Sequence, residues 1–447
     1  MLLKNALIVN EGRVLKGSVL IRDGLIGGVF PAEGGAMATP PQEGETLDLE
    51  GLYLLPGVID DQVHFREPGF PAKADIASES RAAVAGGITS FMEMPNTFPQ
   101  TVTQEALEKK FDLAREKSLA NYSFYIGATN DNIRELEGTS PEHVCGIKVF
   151  MGSSTGNMLV DQPDSLARIF RLKKLPVAVH CEDEQTVRTN LKQARSLYHD
   201  RIPFTQHPVI RSHEACEVSS RLALSLALRY GTRLHLLHLS TAGEMQLLDA
   251  SLRPDQKQVT AEVCVHHLWF SDRDYREKGG WIKWNPAIKE ESDRRALLGA
   301  LLDGRVDVIA TDHAPHTREE KLGPYLECPS GGPMVQHALP AMLELVQQGH
   351  LSLERLVELM CHNPALCFGI RGRGFIREGY AADLVVVDPD RPQTVGKDNI
   401  LYKCGWSPLE GTTLRSSVRY TFVNGILVYD NGRIHDGIRG QALSFSR

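Results

Sequence analysis

A regular alternation through the middle of this chain limits its fold more than any other feature. Apolar, β-rich runs recur at 57–65, 88–94, 122–127, 145–150, 176–180, 233–239, 259–265 and 306–311. Between most of them apolar residues fall at helical spacing, as in IASESRAAVAGG, TQEALEKKFDLAREKS, SHEACEVSSRLALSLALRYG and SDRRALLGALLDG. Eight strand–helix units within 56–374 match an α/β fold of the (β/α)8 TIM-barrel type, with insertions. An open doubly wound sheet is the alternative, but the phosphate-binding glycine fingerprint of that fold is missing.

Both ends of the chain read as short strands joined by turns. ALIVN, RVLKGSVLI and LIGGVF lie near the start, with a turn at Asp23-Gly24. ADLVVVD, SVRYTFVNG and ILVYDNG lie near the end, with turns at Asn424-Gly425 and Asn431-Gly432. The spacing predicts a small β-sandwich domain built from 1–55 and 375–447, flanking the barrel. The Gly/Pro-rich stretch PAEGGAMATPPQEGE reads as a loop.

Composition narrows the partners. A net charge of −7 without a basic block argues against a nucleic-acid partner. No apolar run approaches the ~18–20 residues that span a bilayer, so no membrane partner is expected. The opening residues lack the apolar core and cleavage site of a signal peptide. Eight scattered cysteines without a C-x-x-C pair suit small buried residues in a reducing cytosol, which predicts a cytoplasmic location.

A barrel places functional side chains at the C-terminal ends of its strands. Here strand one ends in His64 and Arg66, strand two in Pro95-Asn96, and strand four carries Lys148. Strand five ends in His180, six in His238, seven in His266-His267, and eight in Asp312. In PGVIDDQVHFREPGF an extended strand would put Asp60, Gln62, His64 and Arg66 on one face, opposite Val63 and Phe65. Many hydrolases place a His-x-His metal pair in such a strand, whereas this chain has Gln62 at the first position.

Imidazoles and a carboxylate converging on one mouth suit Zn²⁺ with a position left for water, whose pKa zinc lowers to about 7. Asp312 could take that proton and return it to a leaving group. An unmodified Lys148 would be repelled by a dication; carbamylation by CO₂ would make it a carboxylate-like ligand, and the alternative is a buried lysine paired with an acid. His235 is expected on the opposite strand face from His238 and is read as structural, as are His266 and His267. Arg66 could hold a carboxylate through its planar fork, with Asn96 supplying an amide donor; the alternative for Arg66 is a surface ion pair with Glu67.

These residues resemble a known family, the amidohydrolases, and within it the dihydroorotases of the long bacterial type. LLPGVIDDQVHFREPG, FMEMPNT, HCED, LHLSTAGE, EVCVHHL, KWNPAIK, ATDHAPHTREEK, SGGP and CGWSPLEG follow in the family's order over nearly the whole chain. The resemblance implies reversible hydrolysis of L-dihydroorotate to N-carbamoyl-L-aspartate. It implies that His64, Lys148, His180, His238 and Asp312 are metal ligands, Asp312 being also the proton shuttle. It further implies that Arg66, Asn96 and His316 grip the substrate carboxylate, with Asn285 and the backbone at Gly332 and Pro333 meeting the ring. Arg66 followed by EPG sets the chain apart from the allantoinases.

Two departures stand out: Gln62, and Gly152-Ser153-Ser154 where many bacterial relatives carry a bridging aspartate. The second favours a carbamylated Lys148. The first spares the ion held by Lys148, His180 and His238 but weakens the one shared by His64 and Asp312, so one tightly bound and one weaker zinc are expected. A small-molecule substrate and a homodimer are expected. Alternatives are a hydantoinase or dihydropyrimidinase, and a non-catalytic structural partner of aspartate transcarbamoylase. Segment 317–335 is a candidate lid.

Overall fold

The computed structural model describes residues 1–32, 44–152, 158–437 and 440–447. Most of the Gly/Pro-rich stretch, and Ser153 and Ser154, lie outside the described residues.

Eight parallel strands form the central sheet: β1 (Val58–Val63), β2 (Ile88–Glu93), β3 (Asn121–Gly127), β4 (Gly146–Phe150), β5 (Val177–His180), β6 (Leu234–Leu236), β7 (Val259–Cys264) and β8 (Val308–Ala310). Each pairs with the next. A parallel bridge between Val63 and His313, with the His64 N–H donating to the His313 carbonyl at 2.7 Å, brings the end of β8 back to β1. Apart from Val259 every strand residue is buried, as expected where helices cover one face and the barrel interior the other. The predicted helices form at Ile76–Ala85, Gln104–Lys117, His213–Tyr230 and Glu291–Asp303. Asp75, Thr103 and Ser212 accept backbone N–H groups at three of their starts, and Gly231 and Gly304 end two of them in the left-handed conformation.

The interior is layered. At the bottom Ile59, Met92, Tyr125, Ala178 and Phe368 pack with Leu443 and Phe445 from the end of the chain, and the Leu443 N–H donates to Tyr122 O at 2.8 Å. The middle layer is charged: His235 Nε2 lies 3.0 Å from Asp61 Oδ2 and 3.4 Å from Glu262 Oε2. The mouth above holds the pocket.

Strands from both ends of the chain, nine in all, join one further sheet. Its first hairpin curls back, the Ile26 N–H donating to Tyr380 O at 2.8 Å and the Ala382 N–H to Gly24 O at 2.9 Å. The curl encloses an apolar core that includes Leu3, Val19, Ile21, Leu384, Val386 and Phe422. Among the described residues no helix is long and apolar enough to cross a membrane.

Candidate active site

Strand β1 does not keep the simple alternation expected of it. Asp60 pairs with Phe91 and Val63 with Glu93, so three steps on β1 face two on β2, which is a β-bulge. The extra residue turns both Asp61 and Gln62 inward, one into the charged layer and the other into the pocket wall. Asp60 instead accepts from the Thr311 hydroxyl at 2.6 Å. Burial pushes its carboxyl up to about 8, with the neighbouring Asp61 adding to the rise. The chain leaves the extended conformation after Val63, and Arg66 has a φ of +67°. His235 also departs from expectation. It faces into the barrel beneath His238 rather than away from it, because His238 turns at a φ of +39°. Asp312 has a φ of +44°. Three non-glycine residues around one pocket thus occupy the left-handed region, a cost that folds retain where a side chain must be aimed.

Gln62, His64, Arg66, Asn96, Lys148, His180, His238, Asn285 and Asp312 all line one pocket at the C-terminal mouth of the barrel. His64 Nδ1 lies 2.7 Å from Asn96 Oδ1, and its Nε2 lies 3.1 Å from Asp312 Oδ1. Since the Asn96 oxygen can only accept, the Nδ1 proton points there and the Nε2 lone pair meets a carboxylate oxygen. Burial lowers the His64 pKa despite the pull of Asp312, which favours the neutral ring. Two lone pairs facing one another call for a cation beside them. The Gln62 amide donates to the same Asp312 oxygen at 3.3 Å, and Trp284 Nε1–H donates to the Asp312 carbonyl at 3.2 Å.

Across the pocket His180 Nδ1 lies 3.0 Å from His238 Nε2. The remaining nitrogens, His180 Nε2 and His238 Nδ1, are buried without a hydrogen-bond partner. Glu182 Oε2 sits 3.1 Å from His180 Nε2 but outside hydrogen-bonding geometry. Burial would raise the Glu182 pKa, yet the ion pair with Arg211 holds it at about 2. Both imidazoles are pushed towards the neutral form by burial. Lys148 reaches the same space with Nζ 4.6 Å from the Phe150 ring, and burial brings its pKa down to about 7. Neutral imidazoles with open lone pairs, a carboxylate and a deprotonatable lysine fit a divalent ion of the zinc class.

The wall opposite is cationic. Arg66 is buried, donating from Nε to Pro315 O at 3.1 Å, while its Nη2 lies 3.1 Å from His316 Nε2. It does not pair with Glu67, whose carboxylate binds Lys117. Burial lowers the Arg66 pKa only to about 10, so it is charged near neutrality. Among the described residues no carboxylate lies within ion-pair distance of it. Asn285 Oδ1 is buried and unpartnered.

His316 stands behind Arg66, with Ser330 O and Lys73 Nζ each 3.0 Å from its ring nitrogens. Ser330 and Gly331 form the rim, and Gly332 is packed so closely on Trp284 that a Cβ would sit 2.6 Å from the indole. Neither Gly332 nor Pro333 is among the residues that line the pocket. Segment 317–335 is tied to the body of the barrel, the Gly331 N–H donating to Lys283 O at 2.8 Å and Lys283 Nζ to Tyr325 O at 2.8 Å. Phe150, Trp284 and Ala314 also line the pocket. No charge or spacing marks them in the sequence, although Trp284 sits within the KWNPAIK motif.

The amidohydrolase family model matches residues 53–428. A dihydroorotase from Methanosarcina mazei is 36% identical over 377 residues, covering 82% of this chain and 81% of that one. An allantoinase from Rubrobacter xylanophilus is 33% identical over 451 residues, covering 97% and 96%. Among solved structures, the L-hydantoinase (dihydropyrimidinase) from Arthrobacter aurescens superposes with a TM-score of 0.92 at 26% identity, covering 99% of each chain. With a matching barrel, a matching end sheet and relatives of this similarity along most of its length, the chain belongs to the amidohydrolase family.

Proposed function

We propose that this protein is a dihydroorotase, opening the cyclic amide of L-dihydroorotate to N-carbamoyl-L-aspartate and closing it in reverse. The observation that carries this reading is Arg66. A charged guanidinium buried in a pocket wall without a carboxylate partner is costly unless the ligand supplies the anion. Dihydroorotate carries such a carboxylate, whereas hydantoin and allantoin are neutral rings and need no clamp. Asn96 stands beside the same wall, and His316 braces the guanidinium from behind. Asn285 Oδ1, open and buried, accepts a ring N–H.

Lys148, His180 and His238 would hold one zinc ion tightly, and His64 with Asp312 a second more weakly, since Gln62 turns its amide N–H rather than an imidazole nitrogen to Asp312. Bound zinc would acidify water and polarise the amide carbonyl. Asp312 accepts the proton released as water attacks and delivers it to the departing ring nitrogen. Trp284 and Phe150 supply apolar lining to the same pocket. Comparing turnover of L-dihydroorotate with that of hydantoin, dihydrouracil and allantoin tests the reading. Preference for a neutral ring would sink it.

The environment of Lys148 supports its carbamylation, because only the neutral amine attacks CO₂. With a pKa of about 7 the amine is about three-quarters neutral at pH 7.5, against about 0.1% for an ordinary lysine. Reactivation of metal-stripped protein by zinc at a fixed concentration of dissolved CO₂ should therefore slow about tenfold from pH 8 to pH 6. A rate indifferent to CO₂ and pH would exclude the carbamate.

Replacing Gln62 by His should raise bound metal per chain, since an imidazole would then stand beside His64 and Asp312. Loss of a direct ligand costs at least the ten- to hundredfold in affinity known for outer contacts. Metal analysis of Gln62→His in a Cys264→Ser background checks this, and stoichiometry unchanged from Cys264→Ser alone would show that residue 62 is not a ligand position of the pocket.

A further inference from the structure

Among the described residues, two buried clusters outside the proposed ligand set bring metal-ligating atoms together: Asp61, His235 and Glu262, and Cys264, His266 and His267. In the first the charges answer one another, His235 lying between the two carboxylates. The second has no such internal answer. Its sulfur and one nitrogen of each imidazole lie within 4.8 Å of one another. His266 is 0% exposed and stacks on Trp284 at 4.3 Å. Neither of its ring nitrogens has a hydrogen-bond partner of good geometry, the Thr311 backbone being the polar group beside it. His267 Nε2 lies 3.1 Å from the Pro286 carbonyl oxygen, which can only accept. The proton therefore sits on Nε2, leaving Nδ1 as a bare lone pair, and that atom too is buried without a partner.

We propose that Cys264, His266 and His267 form a second kind of metal centre, a structural zinc site beneath the pocket, with Gln62 Oε1 as its fourth ligand. One thiolate and two imidazoles are a zinc-selective set. Ligands about 2.0–2.3 Å from a tetrahedral ion stand about 3.3–3.8 Å from one another. Gln62 Oε1 is 3.9 Å from Cys264 Sγ, close to that spacing. Binding releases the thiol proton to solvent. The surplus positive charge is met by nearby Asp61 and Asp312, and Glu262 Oε1 stands 3.9 Å from the sulfur. The ion would also fix the Gln62 amide, whose N–H reaches Asp312. Residue 62 then serves the lower centre as well as the pocket wall.

The test does not depend on turnover. Protein is produced in zinc-depleted, cobalt-supplemented medium, so that the ion is present as the chain folds. A cobalt–thiolate bond gives a strong near-ultraviolet charge-transfer band that imidazole, carboxylate and carbamate ligands do not give. The band should appear in the wild type and in Cys181→Ser, which removes the other thiol near Lys148. It should vanish in Cys264→Ser, with one cobalt fewer per chain. Should Cys264→Ser fail to fold, X-ray absorption at the zinc edge of the wild-type protein should show a sulfur scatterer at about 2.3 Å. Wild type without the band, a band surviving Cys264→Ser, or a zinc shell of nitrogen and oxygen alone overturns the site. None of these outcomes touches the dihydroorotase reading.

Discussion

An Asp312→Asn protein is expected to fold normally and to lose turnover of dihydroorotate by about a thousandfold, within the 10²–10⁴ range for removal of a general acid–base group. The amide has nearly the shape of the carboxylate, so the Trp284 bond to the backbone carbonyl and the packing of the mouth persist. What disappears is the ability to take a proton where Oδ1 meets His64 and Gln62. Thermal unfolding and circular dichroism should match the wild type while steady-state kinetics collapse. Turnover within about tenfold of wild type would remove Asp312 from the proton path.

Arg66→Met should cost a carboxylate substrate about a hundredfold or more in kcat/KM. Loss of one partner from a buried charge pair typically costs about 2–5 kcal/mol, and 1.4 kcal/mol is about tenfold. Dihydrouracil has the same ring without the carboxylate, so its slow turnover should barely change. Equal losses on both rings would mean that the guanidinium supports the wall, through Pro315 and His316, rather than the ligand. Arg66→Lys separates charge from geometry: it keeps the cation but loses the planar fork, and partial activity is expected.

Much of this molecule was legible before any coordinates. The eight strand–helix units, with strands buried on both faces, appear in sequence as near-continuous apolar runs between helical patterns. Strand-end polar residues were legible for a related reason: a polar side chain that closes an apolar run has few places to go except the mouth. Thr103, Ser212, Gly231 and Gly304 stand at the ends of the quoted helical patterns and cap those helices in the structure, because capping is a local event.

Inside β1 the reading by alternation failed because a bulge cannot be seen in one strand alone. It exists only as a mismatch with β2, and it is what sends Asp61 and Gln62 inward together. His235 was misplaced for a similar reason, since the turn at His238 depends on a positive φ that its side chain does not advertise.

The sequence alone determined which chemical groups the barrel could bring to its mouth, since side-chain identity and strand order are local and additive. Tertiary structure alone decided which groups are left unanswered: the Arg66 guanidinium without a carboxylate, and one nitrogen each of His180 and His238 and the ring nitrogens of His266 without a hydrogen bond. A vacant hydrogen bond is a property of everything around an atom, and distant strands supply that surrounding.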